Sequence, residues 1–301
     1  MDASAAELAI LARSRHRHEA MDARLVLDAV GIPAEAVYRD GWWLLLVAAE
    51  DQLRALEELR AYREENPRGP KPRPVRVPVL SGALPGVAAY ALVLIVVAIA
   101  ANRWLFGLDW TDAGVMRAGL VRSGEWWRTL TALTLHGDAG HLSANLAFGA
   151  VFGLFAAQAL GGGVAWCSIV LAGALGNLLN ALVQPAYHSS LGASTAVFAA
   201  LGILVAHAMR YRHAAAAGAS LIRRWSPLVG GVALLAYTGT GGERTDVVAH
   251  LTGFLAGLAL GWVCSRLPYQ RLGSRSVQRT AGVVAVSLLL VGWGLALLTH
   301  R

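Results

Sequence analysis

Residues 139 to 209 form a run of 71 positions without a single Asp, Glu, Lys or Arg. One helix needs only about 20 apolar residues to cross a bilayer, so this run can hold three crossings. The whole chain agrees, because 56% of its 301 residues are hydrophobic and only 15% are charged. Soluble domains have a much higher charged fraction. We therefore expect an all-α polytopic membrane protein, preceded by a small soluble α+β domain.

Seven apolar segments are long enough to span a membrane. They cover about residues 84–105, 141–160, 164–183, 193–209, 225–240, 246–264 and 281–299. The loops after the fourth and sixth segments contain arginines and no acid, whereas the connections on the opposite side carry acids as well. By the positive-inside rule, this places the N-terminus in the cytoplasm and the C-terminus outside. The Arg, Ala and Gly bias suggests a bacterial inner membrane.

Residues 1–66 are charged and have no segment that could span a membrane. They predict a helical stretch from about Ala3 to Ala29 that is interrupted by the basic run Arg13 to His18. Strands at 36–38 and 42–48, joined across Arg39-Asp40-Gly41, and a helix over 50–65 follow. Leu53, Leu56 and Leu59 give that last helix an apolar face. The composition of this domain indicates no catalysis, so we expect it to bind an unknown regulator.

The remaining organisation follows from composition. A Pro-rich and basic linker covers residues 67–83, a six-helix core covers 84–264, and a basic loop with the seventh helix covers 265–301. The net charge of +7 is explained by arginines in loops, so we expect a lipid bilayer as partner and no nucleic acid. Cys167 and Cys264 lie in apolar segments, which predicts free buried thiols. We expect no cleaved signal peptide.

Polar side chains stand in the first turns of three predicted spans that all begin at the outer face. They are His141 and Asn145, then Ser194, then His250. Polar groups inside a membrane are costly and usually functional. A serine attacks a peptide carbonyl only when a base takes its proton, and neutral histidine is the usual base. Ser194 and His250 therefore form a candidate nucleophile and base.

Other residues fit the same chemistry. His141 and Asn145 share a helical face and could donate to an oxyanion together with the Ser194 amide. Phe198, one turn after Ser194, could support the His250 ring. Gly253 and Gly257 would let two helices approach closely. Asp246 lies near the water boundary, which favours a Ser-His dyad over a triad, and this chemistry needs no cofactor.

These motifs together resemble the rhomboid intramembrane serine proteases. The resemblance covers about residues 84–264 and is carried by Trp127-Arg128, His136, His141, Asn145, Gly192-Ala193-Ser194, Ala249-His250, Gly253 and Gly257. It implies a six-plus-one helix bundle that cleaves transmembrane proteins, with Ser194 as nucleophile, His250 as base, and His141 and Asn145 at the oxyanion. It also implies an outer loop carrying Trp127 and Arg128, and a fifth span that moves to admit substrate.

Single residues also have simpler interpretations. His136 could tie down the outer loop, Arg128 could anchor it at the interface, His188 has no evident partner, and His207 lies at the wrong end for a role. Thr195 stands where the family usually has glycine. Two other functions stay open: a catalytically silent relative that binds transmembrane helices, and a metal site formed by His136, His141 and His250.

Overall fold

The computed structural model describes residues 7–66, 79–215, 221–239 and 245–300. The chain divides into two compact units, Met1–Arg73 and Pro74–Arg301. Most of the predicted Pro-rich linker, residues 67–78, lies outside the described residues.

The first unit is a three-stranded antiparallel sheet with two helices. Its elements are β1 (Leu8–Ser14), α1 (Arg17–Ala29), β2 (Ala34–Arg39), β3 (Trp42–Ala48), a 3-10 turn (Ala49–Asp51) and α2 (Gln52–Glu65). The strand order is β1-β3-β2. The predicted hairpin is confirmed: Asp40 and Gly41 both have positive φ, at 52° and 81°, as a two-residue turn between twisted strands requires. The hydrophobic core of this first unit consists of Leu27, Ile32, Leu45, Val47, Ala55 and Leu59.

Two predictions for this unit are wrong. The helix expected from about Ala3 is the strand β1 over residues 8–14, because Ile10 and its neighbours pair with β3, Ile10 opposite Leu46. That pairing outweighs the helix propensity of an Ala- and Leu-rich segment. On α2, Leu53 and Leu56 are 79% and 44% exposed, and Leu59 is the one member of the predicted leucine stripe that is buried, together with Ala55.

The second unit is helical, and each of the seven predicted spans is a helix. These are α3 (Ala83–Asn102), α7 (Ala139–Leu160), α8 (Gly162–Val183), α9 (Ser194–Ala215), α10 (Leu221–Gly239), α11 (Val247–Cys264) and α13 (Arg275–Thr299). Within the described residues, five of them are long and apolar enough to cross a membrane, and α9 and α10 contain shorter apolar stretches. The protein is therefore a multi-pass membrane protein.

Short elements connect these helices. A 3-10 turn (Leu105–Gly107), α4 (Trp110–Gly114), β4 (Met116–Arg117), α5 (Ala118–Arg122), α6 (Arg128–Thr131) and a second 3-10 turn (Ala132–Thr134) form the long loop between α3 and α7. β5 (Ser189–Ser190) lies between α8 and α9 and pairs with β4. α12 (Tyr269–Leu272) precedes α13. The loop is thus tied to the segment that leads into Ser194.

Arg128 holds this loop together from inside. The side chain is 4% exposed; its Nε donates to Glu125 at 2.6 Å and its Nη1 donates to the carbonyls of Asp112 and Val115 at 2.9 Å. The interpretation as an interfacial anchor is therefore wrong, because a guanidinium satisfied by buried acceptors is not exposed to lipid headgroups. Trp127 packs beside it with Leu135 and Trp293.

α9 and α11 pack against each other along most of their length. A Cβ on Gly253 would overlap the Thr195 carbonyl, and a Cβ on Gly257 would overlap the Ala199 carbonyl. Only glycine allows backbones to approach this closely, which is the packing expected of small residues in membrane helices. Both cysteines are free thiols, as predicted, but they are half-buried and not fully buried as expected.

Candidate active site

Ser194 is the first residue of α9 and is held by a glycine turn. Gly192 has φ of 135°, a region that side chains disfavour, and its N–H donates to the Ala132 carbonyl at 2.9 Å. A Cβ at Gly192 would come within 2.7 Å of the His141 ring. Glycine therefore lets the turn pass the imidazole and present Ser194 beside it.

His250 lies one turn into α11 and meets Ser194 directly. Its Nε2 is 2.9 Å from Ser194 Oγ, within hydrogen-bond range for a hydroxyl and an imidazole. The Phe198 ring packs on the imidazole with centroids 4.5 Å apart, as expected for a residue one turn after Ser194. His250 is only 8% exposed, so its ring is held on two sides.

Thr195 fills the space beside the two glycines at the helix interface. It is 2% exposed, and its Cγ2 would lie 2.9 Å from a Cβ added to Gly176 or Gly253. The methyl group therefore packs against α8 and α11, and the backbone still begins a regular helix at Ser194. The departure from the family's usual glycine is accommodated by glycines on the facing helices.

His141 and Asn145 line the same cavity as Ser194 and His250, which measures about 750 Å³. Asn145 is 5% exposed, and its Nδ2 donates to the His141 carbonyl at 3.1 Å. The helix that carries both residues is capped by Asp138, whose Oδ1 accepts from the His141 N–H at 2.8 Å. Four polar residues from three helices thus line one cavity.

His136 does not line this cavity, but it contacts His141, which does. Its ring meets His141 edge-on at 5.1 Å, and its Nε2 accepts from the Ala193 N–H at 3.4 Å. Burial lowers the pKa of His136 to about 4, and the neighbouring His141 acts in the same direction. A neutral imidazole at this place connects the α6–α7 loop to the turn before Ser194.

Sequence reasoning missed a second polar cluster, centred on Asp246. Its Oδ1 caps α11 by accepting from the Ala249 N–H at 3.0 Å. Its Oδ2 meets His188 Nε2 at 2.8 Å and Asn180 Nδ2 at 2.7 Å. Burial raises the pKa of Asp246, but hydrogen bonds from Ala249, His188, Ser190 and Asn180 outweigh it and lower the pKa overall. Asp246 therefore links α8, β5 and the start of α11.

Of these contacts, only the cap was visible in the sequence, because Asp three residues before an amide at a helix start is a common N-cap. His188, for which the sequence offered no partner, is 58 residues from Asp246, and no periodic pattern connects them. Trp127 and Arg128 are not among the residues that line the cavity; they brace the loop beside it.

Part of this chain is similar to a known protein family and to several of its members. The rhomboid domain matches residues 123–267 of this chain. The chain is 33% identical over 151 residues to Rhomboid-like protein 11, chloroplastic, of Arabidopsis thaliana, which covers 48% of this chain and 54% of that protein. It is 35% identical over 136 residues to Rhomboid-like protease 3 of Toxoplasma gondii, covering 45% of this chain and 51% of that protein.

A bacterial relative is Rhomboid protease GluP of Bacillus subtilis, which is 35% identical over 100 residues, or 33% of this chain and 19% of that protein. The chain spans about half the length of the first two relatives. The fold is a helical membrane bundle. Two of its helices, packed through glycines, bring a serine and a histidine together. Residues 123–267 of this chain are a rhomboid domain, and proteins of the rhomboid family are its relatives.

Proposed function

We propose that the protein is an intramembrane serine endopeptidase that cleaves transmembrane segments of membrane proteins. The observation that carries this proposal is the 2.9 Å contact between Ser194 Oγ and His250 Nε2 at the wall of a cavity of about 750 Å³. Relatives named as rhomboid proteases support the same activity. The proposal includes an inner-membrane location with a cytoplasmic N-terminus, which the arginine distribution favours.

The chemistry follows from the positions of the two side chains. Nε2 of a neutral His250 removes the Ser194 proton while Oγ bonds to the substrate carbonyl carbon. The imidazolium then gives that proton to the departing amine as the C–N bond breaks. Water hydrolyses the resulting ester with the same histidine as base, which returns the serine. The proton is conserved in each half of the cycle.

The oxyanion formed by the attack would be stabilised at the N-terminus of α9. The first carbonyl of this helix to accept an intrahelical bond is that of Ala193, from the Val197 N–H at 2.9 Å. The Ser194 amide therefore lies at the open, electropositive end of the helix. His141 and Asn145 line the same cavity and are the proposed side-chain donors.

A transmembrane substrate would reach the cavity from the side of α7, since Ala144, Phe148 and Phe152 line it beside Ser194. A scissile bond must leave its helix to meet the serine, so small or helix-breaking residues should mark cleavage sites. We further propose that α10 moves to admit the substrate, in line with the family resemblance. The N-terminal unit is the proposed binding site for a regulator.

Cleavage of a reporter transmembrane substrate in proteoliposomes tests this function. The parent should cleave it, and Ser194→Ala should lose about 10⁴-fold or more of the rate, as expected when a catalytic nucleophile is removed. Ser143→Ala is a matched control, because this exposed serine on α7 donates to its own helix, to the Ala139 carbonyl at 2.7 Å, and does not line the cavity. A folded parent that binds the substrate without cutting it would instead support the helix-binding alternative.

A further inference from the structure

Three helices of the membrane unit, α3, α8 and α13, leave a groove of about 550 Å³ between them. Its walls are almost entirely apolar, and its volume lies within the range of about 300–1,000 Å³ usual for ligand sites. None of its lining residues belongs to the cavity at Ser194. The groove is therefore a separate site.

The groove extends from the outside of the bundle to residues that are buried in it. Its inner end is lined by Leu133, Ala193 and Ala196, which are 4%, 1% and 7% exposed. Ala193 and Ala196 are close to Ser194 in sequence, but they line the groove, whereas Ser194 lines the cavity. An occupant would thus enter the packed interior of the bundle instead of lying against its outside.

The length of the groove matches one leaflet of a bilayer. Its lining on α13 extends from Gln278 to Leu289, which at 1.5 Å per residue is a rise of about 17 Å. Half of the hydrocarbon thickness of a bilayer is about 15 Å. A narrow apolar groove of this length fits a single acyl chain that runs parallel to the helices.

One end of the groove is basic. Arg279 lines that end and is exposed, and α3, α8 and α13 all begin there. The described connections at this end, residues 79–82, 161–163 and 265–274, contain no Asp or Glu. Gln278 beside Arg279 is fully engaged, since it donates to the carbonyls of Leu160 and Leu272 at 3.0 and 2.6 Å.

We propose that this groove holds one anionic phospholipid, with an acyl chain between α3 and α13 and the phosphate headgroup beside Arg279. The apolar walls bind the chain through burial, and the guanidinium binds the phosphate as a charge-assisted donor. The described connections at this end carry no acid, so none of them repels an anionic headgroup. The binding does not depend on any proteolytic activity.

Native mass spectrometry of the full chain in detergent, with equal amounts of phosphatidylglycerol and phosphatidylcholine, tests the site. The parent should retain one phosphatidylglycerol. Val286→Trp fills the groove and should lose it, whereas Val291→Trp should keep it. The two valines match, because they lie on the same helix and are 53% and 52% exposed, and only Val286 lines the groove.

Arg279→Gln tests the headgroup contact without altering the apolar walls. Its retention of phosphatidylglycerol should fall about fivefold, the effect of one basic residue at a lipid headgroup. Arg103→Gln, an exposed arginine at the far end of α3, should retain the lipid as the parent does. Equal retention of both lipids by the parent, or unchanged retention in both Val286→Trp and Arg279→Gln, would overturn the proposal.

Discussion

The interface between α9 and α11 carries a serine and a histidine at each of its two ends. At one end Ser194 Oγ lies 2.9 Å from His250 Nε2; at the other, Ser265 Oγ lies 3.5 Å from His207 Nδ1. Both histidines are buried, His250 8% and His207 9% exposed, but only the first pair lines the cavity of about 750 Å³. Proximity of these residue types is therefore common to both ends.

The two ends differ in electrostatics as well as access. Ser194 begins α9, where the helix dipole and free amides favour a developing anion. Ser265 ends α11 as its C-cap, where the dipole disfavours one. A nucleophile is useful only where substrate can enter and where the negative charge formed on attack is stabilised. The comparison assigns the proposed chemistry to one pair and packing to the other.

Replacing each histidine with asparagine should give the largest difference in cleavage rate between the two ends. His250→Asn removes the base and should lower cleavage of a transmembrane reporter by about 10⁴-fold or more. His207→Asn should cleave at the parent rate, although its buried position predicts a lower melting temperature. Rates in proteoliposomes, measured beside thermal unfolding in detergent, check both. Equal losses of cleavage in two folded variants would show that the ends are not distinct.

The oxyanion donors should give the next largest effect. Asn145→Ala removes one proposed donor and should lower kcat by about 10²- to 10³-fold while KM stays unchanged. A separate measurement of kcat and KM on the reporter checks this. Ser143→Ala, on the same helix, is the control. A change confined to KM would assign Asn145 to substrate binding instead.

Close contact between α9 and α11 should stabilise the interface between its two ends. Gly257→Ala places a Cβ against the Ala199 carbonyl, and such overpacking costs about 1–3 kcal/mol of the free energy of unfolding. Gly294→Ala on α13 meets open space and should be neutral or slightly stabilising, because alanine favours a helix by about 0.5–1 kcal/mol. Melting temperatures in detergent distinguish the two, and an unchanged Gly257→Ala would contradict the packing described.

Acid should lower the stability of the folded protein through His136, which lies near the cavity. Because burial lowers its pKa to about 4 from 6.5, the unfolded chain binds the proton first, and stability is lost as the pH falls from about 6.5 to about 4. The full loss attributable to this group is about 3 kcal/mol. His136→Gln should reduce the slope of melting temperature against pH over that range. An identical slope in the variant would exclude His136 as the cause.

The sequence predicts features that depend on local pattern. Apolar length located all seven helices, and the positions of Ser194 and His250 in their first turns indicated a shared depth. The sequence does not predict features that depend on partners far apart in the chain. β1 forms because it pairs with β3, Arg128 is buried because two loop carbonyls accept from it, and His188 finds Asp246 across 58 residues. None of these partners leaves a periodic signal.

Labelling with a fluorophosphonate probe, followed by mapping of the modified peptide, tests whether Ser194 is the activated nucleophile. Such a probe reacts with a serine whose hydroxyl is activated by a base. The account predicts one adduct on Ser194 in the parent and in Ser265→Ala, and none in Ser194→Ala. An adduct on Ser265, or no adduct on a folded parent in a bilayer, would contradict it.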